Sequence, residues 1–317
     1  MRTALALMVT IAPCLAATLP SFPAETDFLN QVPADDSEKV VDAVRQYALL
    51  QFALAEWDRD IAVQFSEDPA SADEVQARLK SSADRLDRVE QAYKVLLARY
   101  PKNARSLNYY GEFLYDYRGE QMNAVRYWKE AIAADPRLAL AYNNLGIHYS
   151  HVGQLAFGLE NYNKAIELEP DNPDFKFNLA QTYLAYSPSV AEELKWDEKK
   201  VYRKGMELSK AAAELKPSDY KLQEDYATNF YAAQRFDIQP DWADAAAAWR
   251  RARGSARSNT QLFFTWLNEA RAWINKPDLK KAEACLLEAQ RLNPSSEVVP
   301  RLLEKVRSGN VGEASAE

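Results

Sequence analysis

One spacing recurs along this chain of 317 residues: an alanine is followed five positions later by a proline. Four of its copies are Ala131 and Pro136, Ala165 and Pro170, Ala212 and Pro217, and Ala289 and Pro294. Small residues recur upstream at Gly111, Gly146, Ala180, Ala227 and Ala270, at intervals of 35, 34, 47 and 43 residues. A period near 34 residues, carried by apolar segments of helical length, predicts a stack of helical hairpins. The longer intervals indicate insertions in the later copies.

The clearest copy of the repeat covers residues 139–171. Tyr142, Leu145, Gly146 and Tyr149 follow helical i, i+3, i+4, i+7 spacing, which places them on one face of a first helix. After a turn at Gly153, a second helix carries Gly158, Tyr162 and Ala165 on one face and ends at Pro170. Glycine inside a helix costs about 1 kcal/mol relative to alanine. Gly146 and Gly158 therefore predict that the two helices approach each other closely at these positions.

This pattern closely resembles the tetratricopeptide repeat. The family has an aromatic, Leu-Gly and Tyr on its first helix, and a small residue, an aromatic, Ala and Pro on its second. The preceding copy matches at Leu107, Tyr110, Gly111, Leu114, Ala124, Trp128, Ala131 and Pro136. The resemblance implies an all-α fold, a right-handed α-solenoid of antiparallel helix pairs. It implies about five repeats in residues 101–307, with insertions near 187–199 and 235–241.

The segments before and after the repeats have different compositions. Residues 37–100 contain two stretches with helical apolar spacing, which predict a diverged helical segment that caps the N-terminal end of the array. An end repeat needs such a cap because one of its apolar faces has no neighbour. Residues 18–36 are predicted to be a flexible linker. Residues 308–317 are small and polar and are predicted to be a disordered tail.

Residues 1–17 have the pattern of a secretory signal peptide. Arg2 supplies the positive start, an apolar stretch follows, and Cys14 and Ala16 are small residues at −3 and −1 of a cut after Ala16. The apolar stretch is shorter than the ~20 residues of a membrane span. The sequence therefore predicts export without a transmembrane span, most simply to a bacterial periplasm, with a eukaryotic secretory route open. Cys14 also resembles a lipidation site, although Pro13 departs from that pattern.

Charge and motifs disfavour several other functions. The net charge of −7 disfavours nucleic acid as a partner, because phosphate binding needs clustered Lys and Arg. His148 and His151 are the only histidines; they are interpreted as partly exposed residues near a helix end, since a metal site needs a third ligand. No catalytic motif is present, and no catalytic residue, cofactor or metal is expected. A metal-dependent enzyme that uses the two histidines is a remote alternative.

A binding function fits the resemblance better. In this family the first helix of each repeat lines a concave surface, and the predicted peptide-binding residues there are Asn108, Asn143, Asn144, Ile147, His151, Phe177, Asn178 and Gln181. Asn144 and Asn178 occupy equivalent positions, and an amide can both donate to and accept from a peptide backbone. The competing interpretation is that these asparagines only join helices. Asp225 and Tyr109 stand at the equivalent positions of adjacent copies, so a continuous ladder of amides is not expected.

The predicted partner is a protein or peptide. The basic residues with which some family members grip a terminal carboxylate are missing at the matching positions, so an apolar or amphipathic peptide fits better than an acidic one. The two insertions stand at equivalent hairpins and are expected to form a shared lip. The leading hypothesis is an exported, non-catalytic scaffold; the alternative is a lipid-anchored envelope assembly factor. The identity of the partner and the oligomeric state stay open.

Overall fold

The computed structural model describes residues 37–309, which contain fourteen α-helices and no strand. The helices are α1 Ser37–Phe65, α2 Ala72–Arg99, α3 Ala104–Phe113, α4 Gln121–Ala134, α5 Ala139–His151, α6 Leu155–Leu168, α7 Pro173–Ala185, α8 Ser187–Leu194, α9 Glu198–Leu215, α10 Tyr220–Asn229, α11 Trp242–Ser255, α12 Asn259–Asn275, α13 Leu279–Leu292 and α14 Val298–Ser308. The predicted all-α fold is confirmed. The predicted signal peptide, the linker and most of the tail lie outside the described residues.

Helix starts are fixed by short polar side chains, as the sequence pattern requires. The Asn103 side chain accepts a hydrogen bond from the backbone N–H of Ser106 at 2.8 Å, at the start of α3. The Asn172 side chain accepts a hydrogen bond from the backbone N–H of Asp174 at the start of α7, where Pro173 has no N–H that would need an acceptor. Asp219 caps α10 by accepting from the backbone of Lys221. These caps set the register in which each first helix begins.

The chain forms two compact units, one ending at Ala141 and the other beginning at Tyr142, within α5. In the first unit, α1 and α2 pack together over most of their length and also contact α3. Phe52 of α1 stacks on Phe113 of α3, with ring centroids 6.0 Å apart. Tyr93 of α2 lies 5.9 Å from Tyr110 of α3, again between ring centroids. The segment predicted to cap the array thus packs against the first repeat helix through aromatic rings.

In the second unit, hairpins form from α5 with α6, α7 with α9, α10 with α11, and α12 with α13. The helices of the first hairpin approach as closely as their glycines predict. A Cβ at Gly146 would lie 2.7 Å from the Tyr162 ring, and one at Gly158 would lie 2.4 Å from Ser150 Oγ. Neither site has room for a side chain unless its neighbour shifts, so both glycines are required by packing rather than by a turn.

The two insertions contact each other in the second unit. The first, residues 187–199, contains the short helix α8 and a turn in which Lys195 adopts φ 54°. The second, residues 235–241, begins at the end of a 3-10 helix, Phe230–Phe236. Lys199 Nζ pairs with Asp237 Oδ2 at 2.7 Å, and the Tyr202 and Phe236 rings are 4.9 Å apart between centroids. The insertions thus share an edge, as a common lip requires.

Trp196, in the first insertion, is half-buried against this core rather than extended into solvent. Its ring lies 6.3 Å from that of Tyr183, between centroids, and Lys200 Nζ lies 3.9 Å from the Trp196 ring centroid. The residue therefore fastens the insertion to α7. Among residues 37–309, no helix combines the length and the apolar character that a membrane span needs.

Candidate binding surface on the first helices

The first helices of three successive hairpins in the second unit are joined by side-chain hydrogen bonds. Asn178 Nδ2, on α7, donates to Asn143 Oδ1, on α5, at 3.1 Å. One turn further along α7, Gln181 Nε2 donates to Asp225 Oδ1, on α10, at 2.6 Å. We call these four residues, together with Ser209 and Asn229, which also bind Asp225, the polar ladder. Its members are Asn143, Asn178, Gln181, Ser209, Asp225 and Asn229.

Asp225 is the end of the polar ladder with the most partners. Its Oδ2 accepts from Ser209 Oγ at 2.7 Å and from Asn229 Nδ2 at 3.0 Å, in addition to the bond that Oδ1 accepts from Gln181. A carboxylate that faces three donors is best satisfied when ionised. Burial nevertheless raises the pKa of Asp225, and the hydrogen bonds and the positive charge of Lys221 only partly offset that shift. Asp225 thus takes the place of an amide in the row, and its carboxylate extends the polar ladder to α10.

The predicted binding residues differ in how much of each side chain solvent can reach. Asn108, in the first unit, is fully buried, and its Nδ2 donates to Glu112 Oε1 at 2.8 Å. Asn143 and Asn144 are also buried, at 5% and 9% exposure. Asn178 pairs with Asn143, not with its equivalent Asn144. The structure therefore brings Asn143, Asn178 and Gln181 together through the polar ladder, and these amides join helices.

The other predicted residues lie at the edges of the core. Ile147 and Phe177 are half-buried, and each packs against a cluster of buried apolar side chains. The Phe177 ring is covered on one side by Lys221, whose Nζ lies 4.9 Å from the ring centroid. His151, at the last position of α5, is exposed. A partner on this surface would therefore meet partly exposed apolar groups beside paired amides.

The interpretation of both histidines as partly exposed was wrong for His148. This side chain is 5% exposed and its ring packs at 5.4 Å against that of Tyr149, between centroids. The polar residues Asn143, Asn144 and Ser150 of the same helix are buried as well. A helix covered on most of its sides does not show the amphipathic pattern on which that interpretation relied. Among residues 37–309, no three His, Cys, Asp or Glu side chains are placed to hold a metal ion.

Sequence reasoning missed a charged and aromatic part of the same surface towards the C-terminus. Phe264, on α12, is 46% exposed, although phenylalanine side chains are usually buried. Two turns later Arg271 Nη1 donates to Asn268 Oδ1 at 3.0 Å. The available signal was the repeat itself, because Arg271 occupies the position on its helix that Gln181 occupies on α7. Counting equivalent positions through the last copy would have found it.

A buried ion-pair group between the last two full hairpins was also missed. Glu269, on α12, is 2% exposed, and it pairs with Arg253 at 2.5 Å and with Arg250 at 2.9 Å, both on α11. Trp273 Nε1 donates to the same carboxylate at 3.3 Å, and the Arg253 guanidinium lies 3.4 Å from the Trp266 ring centroid. This group fastens α11 to α12 and is not open to a partner.

Repeated helical hairpins, tight glycine contacts at helix crossings and no strand among the described residues define a helical-repeat protein. The family model for the TPR repeat matches residues 153–185. A human protein, "Tetratricopeptide repeat protein 6", is 30% identical over 69 residues, which cover 22% of this chain and 13% of that protein. The match thus spans well under two thirds of the human protein. Both matches support a tetratricopeptide repeat family protein, and residues 153–185 carry the repeat that the family model recognises.

One solved structure supports the same fold at low sequence identity. The C-terminal part of a TPR repeat-containing protein from Cytophaga hutchinsonii superposes with a TM-score of 0.51 and 17% identity, over 81% of this chain and 98% of that one. PilW, described as a widely conserved type IV pilus biogenesis factor, superposes with a TM-score of 0.48 and 13% identity, over 78% of this chain and 98% of that one.

Proposed function

We propose that this protein is an exported, non-catalytic scaffold that binds a partner protein or peptide along the first helices of its repeats. The polar ladder is the observation that carries the proposal. It links α5, α7 and α10 by direct side-chain bonds and so holds three first helices in a set register. A surface whose polar groups are already paired is preorganised, and less conformational entropy is lost when a partner binds.

The partly exposed side chains beside the polar ladder favour an amphipathic or apolar segment of the partner. Ile147 and Phe177 each leave part of an apolar side chain at the surface. An apolar face of a peptide helix, or alternate side chains of an extended peptide, would cover them. The paired amides beside them would contribute specificity more than affinity, because their hydrogen bonds are already made.

A cross-linker on the same surface tests the proposal. Thr228, on α10, is exposed and occupies the position that Gln181 occupies on α7, without belonging to the polar ladder. Benzoylphenylalanine at Thr228 is expected to cross-link a discrete partner in the native host. The same group at Asn163, which is exposed on the second helix α6, is the matched control. Equal cross-linking from both positions, or none from Thr228, contradicts the proposal.

Export rests on the pattern of residues 1–17, which lie outside the described residues. We propose that the mature chain begins at Ala17 or Thr18. N-terminal sequencing of the protein recovered from its native host tests this directly. A lipid-modified Cys14 as the first residue would favour the anchored assembly factor instead, and a Cys14→Ser variant would then lose its membrane association.

A further inference from the structure

Charge is distributed unevenly along this acidic chain. The whole sequence has 39 Lys and Arg against 46 Asp and Glu. Residues 241–309 reverse that balance, with 12 Lys and Arg against 8 Asp and Glu. The last part of the second unit is therefore positively charged within a protein of net negative charge, and a positive region of this kind attracts acidic partners.

Part of this positive charge lies on α12 and α14, the two first helices nearest the C-terminus. Arg271 and Lys305 are 34 residues apart and so occupy equivalent positions of α12 and α14. Helix α14 buries Val299, Leu303 and Val306, which leaves Arg301 and Lys305 on its exposed side. We call Lys221, Phe264, Arg271, Arg301 and Lys305 the cationic surface.

Three of these charges are not neutralised locally. Among residues 37–309, no carboxylate oxygen lies within 4.0 Å of the charged nitrogens of Lys221, Arg301 or Lys305. The contrast within the same unit is Arg253, which is bound to the buried Glu269 at 2.5 Å. Arg253 is thus paired with an acid inside the fold, whereas the exposed side chains of Lys221, Arg301 and Lys305 present their charges to solvent.

Phe264 adds an apolar group to the cationic surface. It lies on the same side of α12 as Arg271, seven residues earlier, and its ring meets that of the buried Phe263 edge-on, with centroids 5.5 Å apart. In the preceding copy the equivalent position is Lys221, on α10. Lys221 and Phe264 thus occupy corresponding positions of neighbouring first helices, and equivalent helices of a repeat array place such positions along a line.

We propose that the cationic surface binds an acidic peptide segment of a partner protein, with one hydrophobic side chain of the peptide placed on Phe264. The proposal rests on the proposed function and narrows the choice of partner, since the peptide now carries carboxylates beside its apolar side chain. Exposed charges contribute mainly to specificity and association rate, and their effect weakens as salt screens them. The apolar contact at Phe264 persists at high salt.

Synthetic peptides test the proposal on the full mature chain. The probes are fluorescein-labelled peptides of about twelve residues, with a central Leu flanked by glutamates, by glutamines or by lysines. Fluorescence anisotropy is expected to show that the glutamate peptide binds about tenfold more tightly than the glutamine peptide. Its affinity is expected to fall as NaCl rises from about 0.05 M to about 0.3 M. Equal affinity for all three peptides overturns the proposal.

Paired charge-removing variants locate the site. Arg301→Gln with Lys305→Gln is expected to lower affinity for the glutamate peptide by about fivefold or more. The matched control, Lys276→Gln with Lys280→Gln, removes the same charge from exposed positions just after α12 and at the start of α13. It is expected to change the affinity by less than about twofold. Equal losses in the two variants overturn the proposal, because only net charge would then matter.

Two further results separate this proposal from the general function. If no peptide binds while the Thr228 cross-linker still captures its partner, the cationic surface is not the site and the scaffold function stands. If the glutamate peptide binds only after residues 310–317 are removed, the chain's own tail, which contains Glu313 and Glu317, is the occupant and the proposal is overturned.

Discussion

Asn178 donates a hydrogen bond from its side-chain amide to the amide oxygen of Asn143, 3.1 Å away, and so joins α7 to α5. Asn143 is 5% exposed, so this bond lies at the edge of the core rather than on an open surface. An amide oxygen that loses its donor in such a place is left partly unsatisfied. The pair therefore contributes first to the stacking of hairpins and only through that to binding.

Replacing Asn178 by alanine is expected to lower the free energy of unfolding by about 1 kcal/mol, the usual contribution of one such hydrogen bond. The measurement is urea denaturation followed by circular dichroism. Asn163→Ala, at an exposed position of α6, is the control and should change stability by less than about 0.5 kcal/mol. An Asn178→Ala protein with full stability but weakened partner affinity would show that Asn178 is a contact residue.

Gly146→Leu is expected to destabilise the second unit by about 1–3 kcal/mol or more, because the added side chain must displace the Tyr162 ring. Gly254 provides the matched comparison, since it is also helical but a methyl group added to it would have no neighbouring atom within 4 Å. Gly254→Ala should raise stability by up to about 1 kcal/mol, through lower backbone entropy in the unfolded chain. Thermal unfolding of the two variants checks both signs. A normal melting temperature for Gly146→Leu would contradict the close approach of α5 and α6.

The hairpins could be predicted from sequence because the residues that define them act within one repeat. Gly146 and Tyr162 belong to the same hairpin, and their contact is set by local helix periodicity and one short turn. The polar ladder could not be predicted in the same way. Asn143 and Asn144 differ by about 100° around the helix axis, and which of them meets Asn178 depends on how successive hairpins are rotated. That rotation is a tertiary property.

Hydrogen-bond partners that are far apart in the sequence were harder still to predict. Gln181 and Asp225 are 44 residues apart, occupy different positions of their helices and are separated by an insertion. Asp225 is a carboxylate where a ladder of amides would need an amide, and nothing in the repeat pattern indicates that it accepts a hydrogen bond from α7. The exposure of His148 was predicted wrongly for a different reason: its burial depends on the helices around α5 and not on the residue spacing within α5.

Glu269→Ala is expected to lower the free energy of unfolding by about 3–5 kcal/mol, because it leaves the largely covered Arg253 without its counter-charge. Arg250 contacts the same carboxylate, but its own side chain is 57% exposed. Arg250→Ala should therefore change stability by only about 0–1 kcal/mol. Urea denaturation measures both. Similar losses for the two variants would mean that the carboxylate depends equally on both arginines.

The pH dependence of stability should reveal the protonation of the half-buried Asp225 carboxyl. Burial raises the pKa of this carboxyl above its usual 3.8. Between the pKa of the unfolded chain and that of the folded chain, the folded protein therefore holds a proton that the unfolded chain has released. Stability from this group is then complete at lower pH and is lost as pH rises through the folded pKa. Relative to Asp225→Asn, the wild-type free energy of unfolding is expected to fall as pH rises from about 4 and to level off once Asp225 is ionised.

Asp219 provides a control of opposite sign. Its pKa is lowered, first by the hydrogen bond from Lys216, so its contribution is present above the usual 3.8 and is lost as pH falls. Urea denaturation of wild type, Asp225→Asn and Asp219→Asn from about pH 3.5 to about pH 7 should therefore give difference curves of opposite slope. If the Asp225 difference instead grows with rising pH, the three hydrogen bonds outweigh burial. The polar ladder would then hold a carboxylate with a lowered pKa, and acid, rather than neutral pH, would weaken the link between α7 and α10.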